Sequence, residues 1–452
     1  MSIEAAKACI RHAQADLNQA LVELDAVTPP EPPAAIVSTP AEFDEALLAA
    51  VPGDVIVCAV SLVYPSVLTI RTAGIQIISE HSGTTRITDT ESAPAFGDKI
   101  ILEAADVRLS GLQISHGKWT DILQLAGANP IIDRCRILGD TTTGARRGIA
   151  ANAANVTITR CHIDLCFGPY PGDDTQAICA WKSLGPILIE DCYLCGGSET
   201  VMFGGSDPPS SEYVPADITI RLNTITKRAA WQQQAVGVKN IFELKNAKRV
   251  LIENNTFSYS WGGHGQDGFA LVLTPRNQSG TAPYSTVEDV EIRQNRFSCS
   301  AGAISFLGHD NNYPSQRLAR VNIHHNVFED LSPSKYTGTN KMLQIQAGPM
   351  QLTIDSNEFY GAGLSSQVYF SGSPQCDQLT VTNNKWPHTT YGIFGSGSST
   401  GTDPATGLPK AWVQYVASGQ LANNTEWPAT RSTVRRFYEW ILRCVASFGF
   451  AR

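Results

Sequence analysis

VLIENNTF (Val250 to Phe257), VEIRQNRF (Val290 to Phe297) and VNIHHNVF (Val321 to Phe328) are three copies of one eight-residue pattern, and their reading decides the fold. Upstream stand VRLSGLQI (Val107 to Ile114), PIIDRCRI (Pro130 to Ile137), VTITRCHI (Val156 to Ile163), ILIEDCYL (Ile187 to Leu194) and ITIRLNTI (Ile218 to Ile225). Downstream stand LTIDSNEF (Leu352 to Phe359) and LTVTNNKW (Leu379 to Trp386). Positions one, three and eight are apolar and position two is usually polar, the alternation of a strand with one buried face. Position six is Leu once, Cys three times and then Asn six times. There the alternation breaks into a turn that returns one small side chain inward. The position-six residues fall at 112, 135, 161, 192, 223, 255, 295, 326, 357 and 384, a spacing of one supersecondary unit per copy.

Such a period fits an all-β parallel β-helix, in which each rung lies on the last at about 4.8 Å and like residues stack. A buried Asn at one corner of successive rungs can bond the Asn and backbone above and below, groups that would cost roughly 1–3 kcal/mol each if left unpaired. Cys suits the early rungs, because a thiol tolerates burial without partners. A leucine-rich repeat has a similar core pattern. Here, however, the apolar positions are mostly Val, Ile and Phe, the spacing wanders, and no helical pattern fills the rest of each period.

A solenoid spends length on rungs, so 452 residues make one large body plus ends. With 42% hydrophobic and 17% charged residues the chain has ample core. A net charge of -8 argues against nucleic acid or an acidic membrane as main partner, and against a strongly anionic polysaccharide unless charge is arranged locally. No run of about 18 apolar residues is present, so no membrane span is expected. The first residues have no apolar signal-peptide core, so no secretion signal is expected either. Of eleven cysteines, Cys135, Cys161 and Cys192 sit in the ladder and the others are scattered, which favours buried free thiols. Cys192 and Cys195 have metal-like spacing, but no second pair accompanies them, and neither a metal nor a cofactor is expected.

Residues 1–27 form a heptad-patterned helix: Ile3, Ile10, Leu17 and Leu24 recur every seven residues, with Ala6, Ala13 and Ala20 three places on. An assembly coiled coil and a helix folded back as a cap both fit. A proline-rich spacer covers 28–37, the β-helix 38–430, and a C-terminal amphipathic helix 431–452 carrying Phe437, Trp440, Ile441 and Cys444. Ser38 to Val51 reads as a capped helix plugging the open end. The body is expected to run to about Phe394, with a last rung at Trp412 to Val416.

A second strand in each rung aligns as ICAWK, VMFGGSD, IFELKN, LVLTPRN, ISFLGHD, LQIQ and VYFS. Just past its apolar core come Trp181, Lys182, Asp207, Glu243, Lys245, Arg276, His309 and Asp310, a mixed-charge stripe along one edge. Carboxylates and cations there could bond sugar hydroxyls while Trp stacks on a ring face, since solenoids bind partners along their edges. The alternative is ordinary polar turn surface. Hydrolysis would need two carboxylates about 5–5.5 or 6.5–9.5 Å apart, for which Asp207 with Glu243 or Asp267 with Asp310 are the pairs to examine. No acidic cluster able to hold Ca²⁺ for a lyase is visible, and no catalytic residue is assigned.

The segments QAICAW (Gln176 to Trp181), VMFGGSD (Val201 to Asp207), VKNIFELKNA (Val238 to Ala247), GFALVLTPRNQ (Gly268 to Gln278), HDNNYPS (His309 to Ser315) and YGIFGS (Tyr391 to Ser396) resemble a family of bacterial right-handed parallel β-helix repeat proteins with a pectate-lyase-like fold. The resemblance covers about Ala104 to Gly397 and implies a right-handed, single-stranded β-helix, but brings no assigned catalytic residues. Usual members carry a secretion signal where this chain has its heptad helix and spacer. In that respect the chain resembles bacteriophage tailspikes and capsid-decoration proteins. The expected function is therefore a structural or carbohydrate-binding appendage of a virion, homo-oligomeric with a trimer among the options, and facing surface polysaccharide. The alternative is a polysaccharide lyase or glycoside hydrolase on the same fold. A bacterial cell-surface β-helix is a third reading.

Overall fold

In the computed structural model, residues 36–81, 92–116, 119–234 and 236–427 are described. The heptad helix, the proline run of the spacer and the C-terminal helix lie outside them. Three parallel sheets, A, B and C, hold 13, 13 and 12 strands, and each strand pairs with the third strand before and after it. One turn of the coil runs through Ala247–Glu253 in sheet A, Thr256–Ser260 in sheet B and Phe269–Leu273 in sheet C, then returns to sheet A at Val287–Arg293. This is a right-handed parallel β-helix of the pectate-lyase-like kind, the hand that parallel crossovers almost always take.

The repeat maps directly onto that turn. Position three is buried in every copy, from Leu109 through Ile252 and Ile292 to Val381. Position five makes the corner between sheets A and B in left-handed conformation: Arg134, Arg160, Asp191, Leu222, Asn254, Gln294, His325, Ser356 and Asn383 all have φ between 50 and 60°. In the first copy Gly111 takes it, with φ of 73°. A non-glycine residue there costs about 1–2 kcal/mol, which the inward residue that follows offsets by hydrogen bonding. The backbone N–H groups of Asn223, Asn255, Asn295, Asn326 and Asn357 each donate to the next Asn Oδ1 at 2.9–3.0 Å. Cys takes the same part in earlier rungs, where Cys161 N–H donates to Cys192 Sγ at 3.3 Å. At position eight, Phe257, Phe297, Phe328 and Phe359 stack with centroids 4.5, 4.4 and 4.8 Å apart.

A helix at Pro40–Ala49 closes one end. Thr39 Oγ1 accepts from Glu42 N–H, and Glu42 Oε2 accepts from Thr39 N–H, a capping box. Its Phe43 is fully buried, with ring centroids 5.0 Å from Tyr64 and 5.4 Å from Phe96. At the other end the expected strand at Trp412 to Val416 is instead the helix Lys410–Tyr415. Helical spacing brings both Trp412 and Tyr415 onto Phe370, which the apparent alternation of this stretch conceals. The coil then resumes at Gly419–Ala422 and Thr425–Trp427, where Asn424 extends the ladder by one rung: its Oδ1 accepts from Asn384 N–H at 3.0 Å. The nine cysteines among the described residues are free, and all but Cys299 are buried.

Candidate functional site

Sheet C departs from simple alternation. In most of its strands two consecutive residues enter the core, as Ile122 with Leu123, Ile241 with Phe242, Ala270 with Leu271 and Met342 with Leu343 do. The residues flanking each pair then stand on the outer face. The stripe therefore lies on the third strand of each rung rather than the second. Within it Phe242, and not Ile241, is in register with Val201 and Leu271, one residue away from the alignment expected.

Outer residues that open successive strands form a buried polar chain. Arg147 Nη1 meets Asp121 Oδ1 at 3.1 Å, Arg147 Nε donates to Gln176 Oε1 at 3.1 Å, and Gln176 Nε2 donates to Glu199 Oε2 at 2.9 Å. Glu199 is fully buried. Its Oε1 receives no well-directed hydrogen bond but faces the Lys239 ammonium at 3.2 Å, and Lys239 also pairs with Asp174 at 2.5 Å. Burial would raise the Asp174 pKa, but Lys239 more than offsets it and holds the carboxylate down to about 2.

Next to Glu199 lies Glu243, one of the expected site residues, whose Oε2 accepts from Asn240 Nδ2 at 3.2 Å. Burial, reinforced by Glu199, pushes the Glu243 carboxyl up to about 7 against the pull of Lys245, which lies 3.6 Å away. Two contacting carboxyl groups in a dry site hold a proton between them. For Lys245, burial favours loss of the proton, yet Glu243 and Glu199 more than compensate, so its pKa rises and it stays an ammonium.

Glu243, Lys245, Arg276 and Asp310 line one groove of about 470 Å³ on the outer face of sheet C. Glu199, Lys239, Asn240, Asp267, Asn277, Gln344 and Gln346 line it too, around an apolar floor of Phe269, Val272 and Leu307. Asp310 fixes one wall: it pairs with Arg276 at 3.1 Å and accepts from the N–H groups of Asn277 and Asn312, both at 2.8 Å. The other four expected residues stand outside the groove lining. Trp181 lies under the Arg147 guanidinium, 4.8 Å from the ring centre, and Lys182 is exposed beyond it. His309 bonds the carbonyls of Asp310 and Ser373. Asp207 ties two loops together by accepting from Ser279 N–H, Thr281 N–H and the Thr281 hydroxyl. Burial would raise the Asp207 pKa, but those bonds lower it.

Sequence reasoning missed Glu199, Lys239, Asn240 and the two glutamines. A signal was present: DILQL, RGIAA, QAICA, ETVMF and NIFEL, from Asp121, Arg147, Gln176, Glu199 and Asn240, all carry a polar residue ahead of the core pair except that RGIAA places Gly148 in it. The turn delivering Glu199 is braced from inside. Lys227, fully buried, donates to the carbonyls of Gly196, Gly197 and Ser198 at 3.2, 2.6 and 2.8 Å. Burial lowers its pKa to about 7 despite the nearby Glu199. Among the described residues no group of three or more His, Cys, Asp or Glu could hold a metal ion, and no helix is long and apolar enough to cross a membrane.

The chain is similar in structure to several solved β-helix proteins. An alginate lyase from Paenibacillus sp. aligns over 80% of this chain and 97% of its own, at 13% identity and TM-score 0.41. The surface adhesin PfbA of Streptococcus pneumoniae aligns over 83% and 97%, at 12% identity and TM-score 0.45. The Dettilon tailspike aligns over 79% of this chain but 64% of the tailspike, at 13% identity and TM-score 0.43. No family model matches the sequence, and no curated protein matches it. These likenesses are of fold alone.

Proposed function

We propose that this protein is a glycan-binding β-helix and that the sheet C groove is its binding site, with a neutral carbohydrate as ligand. The observation that carries the proposal is the groove itself. It has fixed donors and acceptors of both kinds along a rigid sheet, an apolar floor and no excess of positive charge. Four carboxyl groups (Asp267, Asp310, and Glu199 with Glu243, which share a proton) face three cations (Lys239, Lys245, Arg276), so a polyanion gains nothing there. A polyhydroxylated ring can both donate to Asp310 or Gln346 and accept from Arg276 or Lys245.

Two features favour binding over bond cleavage. Glu199 and Glu243 both face the Lys245 ammonium, at 3.9 and 3.6 Å, so neither stands free as the nucleophile or base that a paired-carboxylate glycosidase needs. Lys245, held as an ammonium, is a poor base for proton abstraction from a uronate. The test is a panel of neutral and acidic bacterial surface polysaccharides, read by calorimetry and by assay for new reducing or unsaturated ends. Binding of neutral glycans that Arg276→Ala weakens, with no new ends, is the expected result. Cleavage abolished by Glu243→Gln would instead establish the lyase or hydrolase alternative. The assembly part of the proposal, an oligomeric virion appendage, rests on the heptad stripe and the proline spacer of the sequence.

A further inference from the structure

Beyond the groove, the outer column of sheet C changes character. Following the register from Glu243, it reads Val272, Ser305 and Gln344, and then Tyr369 and Phe394. Five rung steps of about 4.8 Å make this path roughly 24 Å long, far more than one sugar ring spans. Every phenylalanine of the internal ladder is fully buried, whereas Phe394, on the outer face, is left partly open to solvent. Tyr391 lies beside it, 49% exposed, with ring centroids 5.2 Å apart and planes tilted by 32°. The Tyr369 and Phe394 centroids are 6.2 Å apart.

Tyr369 is also held in place. The Lys341 ammonium sits 4.1 Å from its ring centre and donates to Gln344 Oε1 at 2.9 Å. Gln344 Nε2 donates to Gln346 Oε1 at 2.9 Å, and both glutamines line the groove. An apolar cluster left open on a sheet face forgoes burial worth about 25 cal/mol per Å², and a polar rim around it is the mark of a binding surface. The polar groove and the aromatic cluster are thus continuous, through one amide network on one rigid sheet.

We propose that Tyr369, Tyr391 and Phe394 form a stacking subsite for the apolar face of a pyranose ring, so that the ligand is an extended neutral glycan running along the helix axis from the groove to this platform. The subsite rests on the glycan-binding reading of the groove and adds to it the length and direction of the ligand. Aromatic faces supply sequence-tolerant contact area at small entropic cost, while the glutamines between platform and groove bond hydroxyls of intervening units.

The experiment is calorimetric titration of the full chain with size-fractionated oligomers of whichever neutral surface polysaccharide it binds. Tyr369→Ala, Phe394→Ala and the loop variant Tyr391→Ala are compared with wild type. Longer oligomers should lose about tenfold in affinity in these variants, and the shortest, which fill the groove alone, should be unaffected. Tyr369→Phe should bind as wild type, and the melting temperature of Tyr391→Ala should not move. Equal loss for short and long oligomers, or no loss for either, overturns the subsite while leaving the groove intact. A fall in particle size by light scattering in Phe394→Ala, without loss of long-oligomer affinity, would make the platform a contact between copies and overturns it too. No binding of any glycan by wild type overturns the groove reading, and the subsite with it.

Discussion

Replacing Asn295 by leucine removes five side-chain hydrogen bonds from the middle of the ladder. Its Oδ1 accepts from Asn255 N–H at 2.9 Å and from Asn255 Nδ2 at 3.0 Å; its Nδ2 donates to Ile252 O, Arg293 O and Asn326 Oδ1 at 2.9, 2.8 and 3.0 Å. These losses are unequal. Asn255 Nδ2 keeps the carbonyls of Ile220 and Glu253, and Asn326 Oδ1 keeps the Asn295 N–H. The Asn255 backbone N–H, by contrast, is left buried without its acceptor, a cost of about 1–3 kcal/mol by itself. With the amide's bonds to the Ile252 and Arg293 carbonyls and to Asn326 also lost, Asn295→Leu should cost about 3–5 kcal/mol, although Arg293 O keeps the Asn254 N–H. Cysteine should cost roughly half as much, because a thiol at this corner can still accept a backbone N–H, as Cys192 does from Cys161. Urea unfolding followed by tryptophan fluorescence, with the slope compared across variants, reads both numbers. A leucine variant within about 0.5 kcal/mol of wild type, or a cysteine variant as unstable as leucine, would refute the ladder as the source of corner stability.

Three further outcomes are expected. The Glu243 carboxyl binds its proton more tightly folded than unfolded, so its stabilising effect is complete below about pH 4.5 and lost as pH rises through about 7; over that window the wild type should lose up to about 3 kcal/mol that Glu243→Gln retains, measured by urea unfolding at both ends. Lys227→Met leaves three buried carbonyls without their ammonium and should cost about 3–5 kcal/mol, with loss of groove binding at temperatures where the variant stays folded; a fully stable variant that binds normally would remove Lys227 from the account of how Glu199 is positioned. Deletion of residues 1–30 should leave a folded β-helix that elutes as a smaller particle, and an unchanged particle size would assign the heptad stripe to an intramolecular cap.

The corner between sheets A and B was legible because it obeys a local rule: one left-handed residue, then one small inward residue, every rung. Asn255, Asn295 and Asn326 announce that rule in the sequence, and the stacked phenylalanines follow at a fixed offset. The last rung was misplaced because WVQYV, from Trp412 to Val416, alternates like a strand while its Trp412 and Tyr415 pack as helix residues on Phe370. Half of the expected stripe reached the groove for a related reason. Sheet C sends two adjacent residues inward, so alternation counted back from Val201 or Phe242 puts Glu199 and Asn240 inside and hides them as outer residues. Asp207 and His309 were beyond reach of any periodicity, because their partners Thr281 and Ser373 come from loops many residues away. Their hydrogen-bonding atoms are spent on holding those loops.

Hydrogen–deuterium exchange with and without a bound neutral glycan tests the location of the site most directly. Protection should appear on sheet C and its bordering loops, in peptides covering 240–246, 268–278, 305–312 and 341–346, and extend to 366–371 and 391–396 with longer oligomers. The sheet A strands across the core, such as Val287–Arg293 and Ala319–His324, should exchange as in the free protein. Protection confined to sheet A or sheet B in the presence of saturating ligand would contradict the assignment of the groove as the binding site.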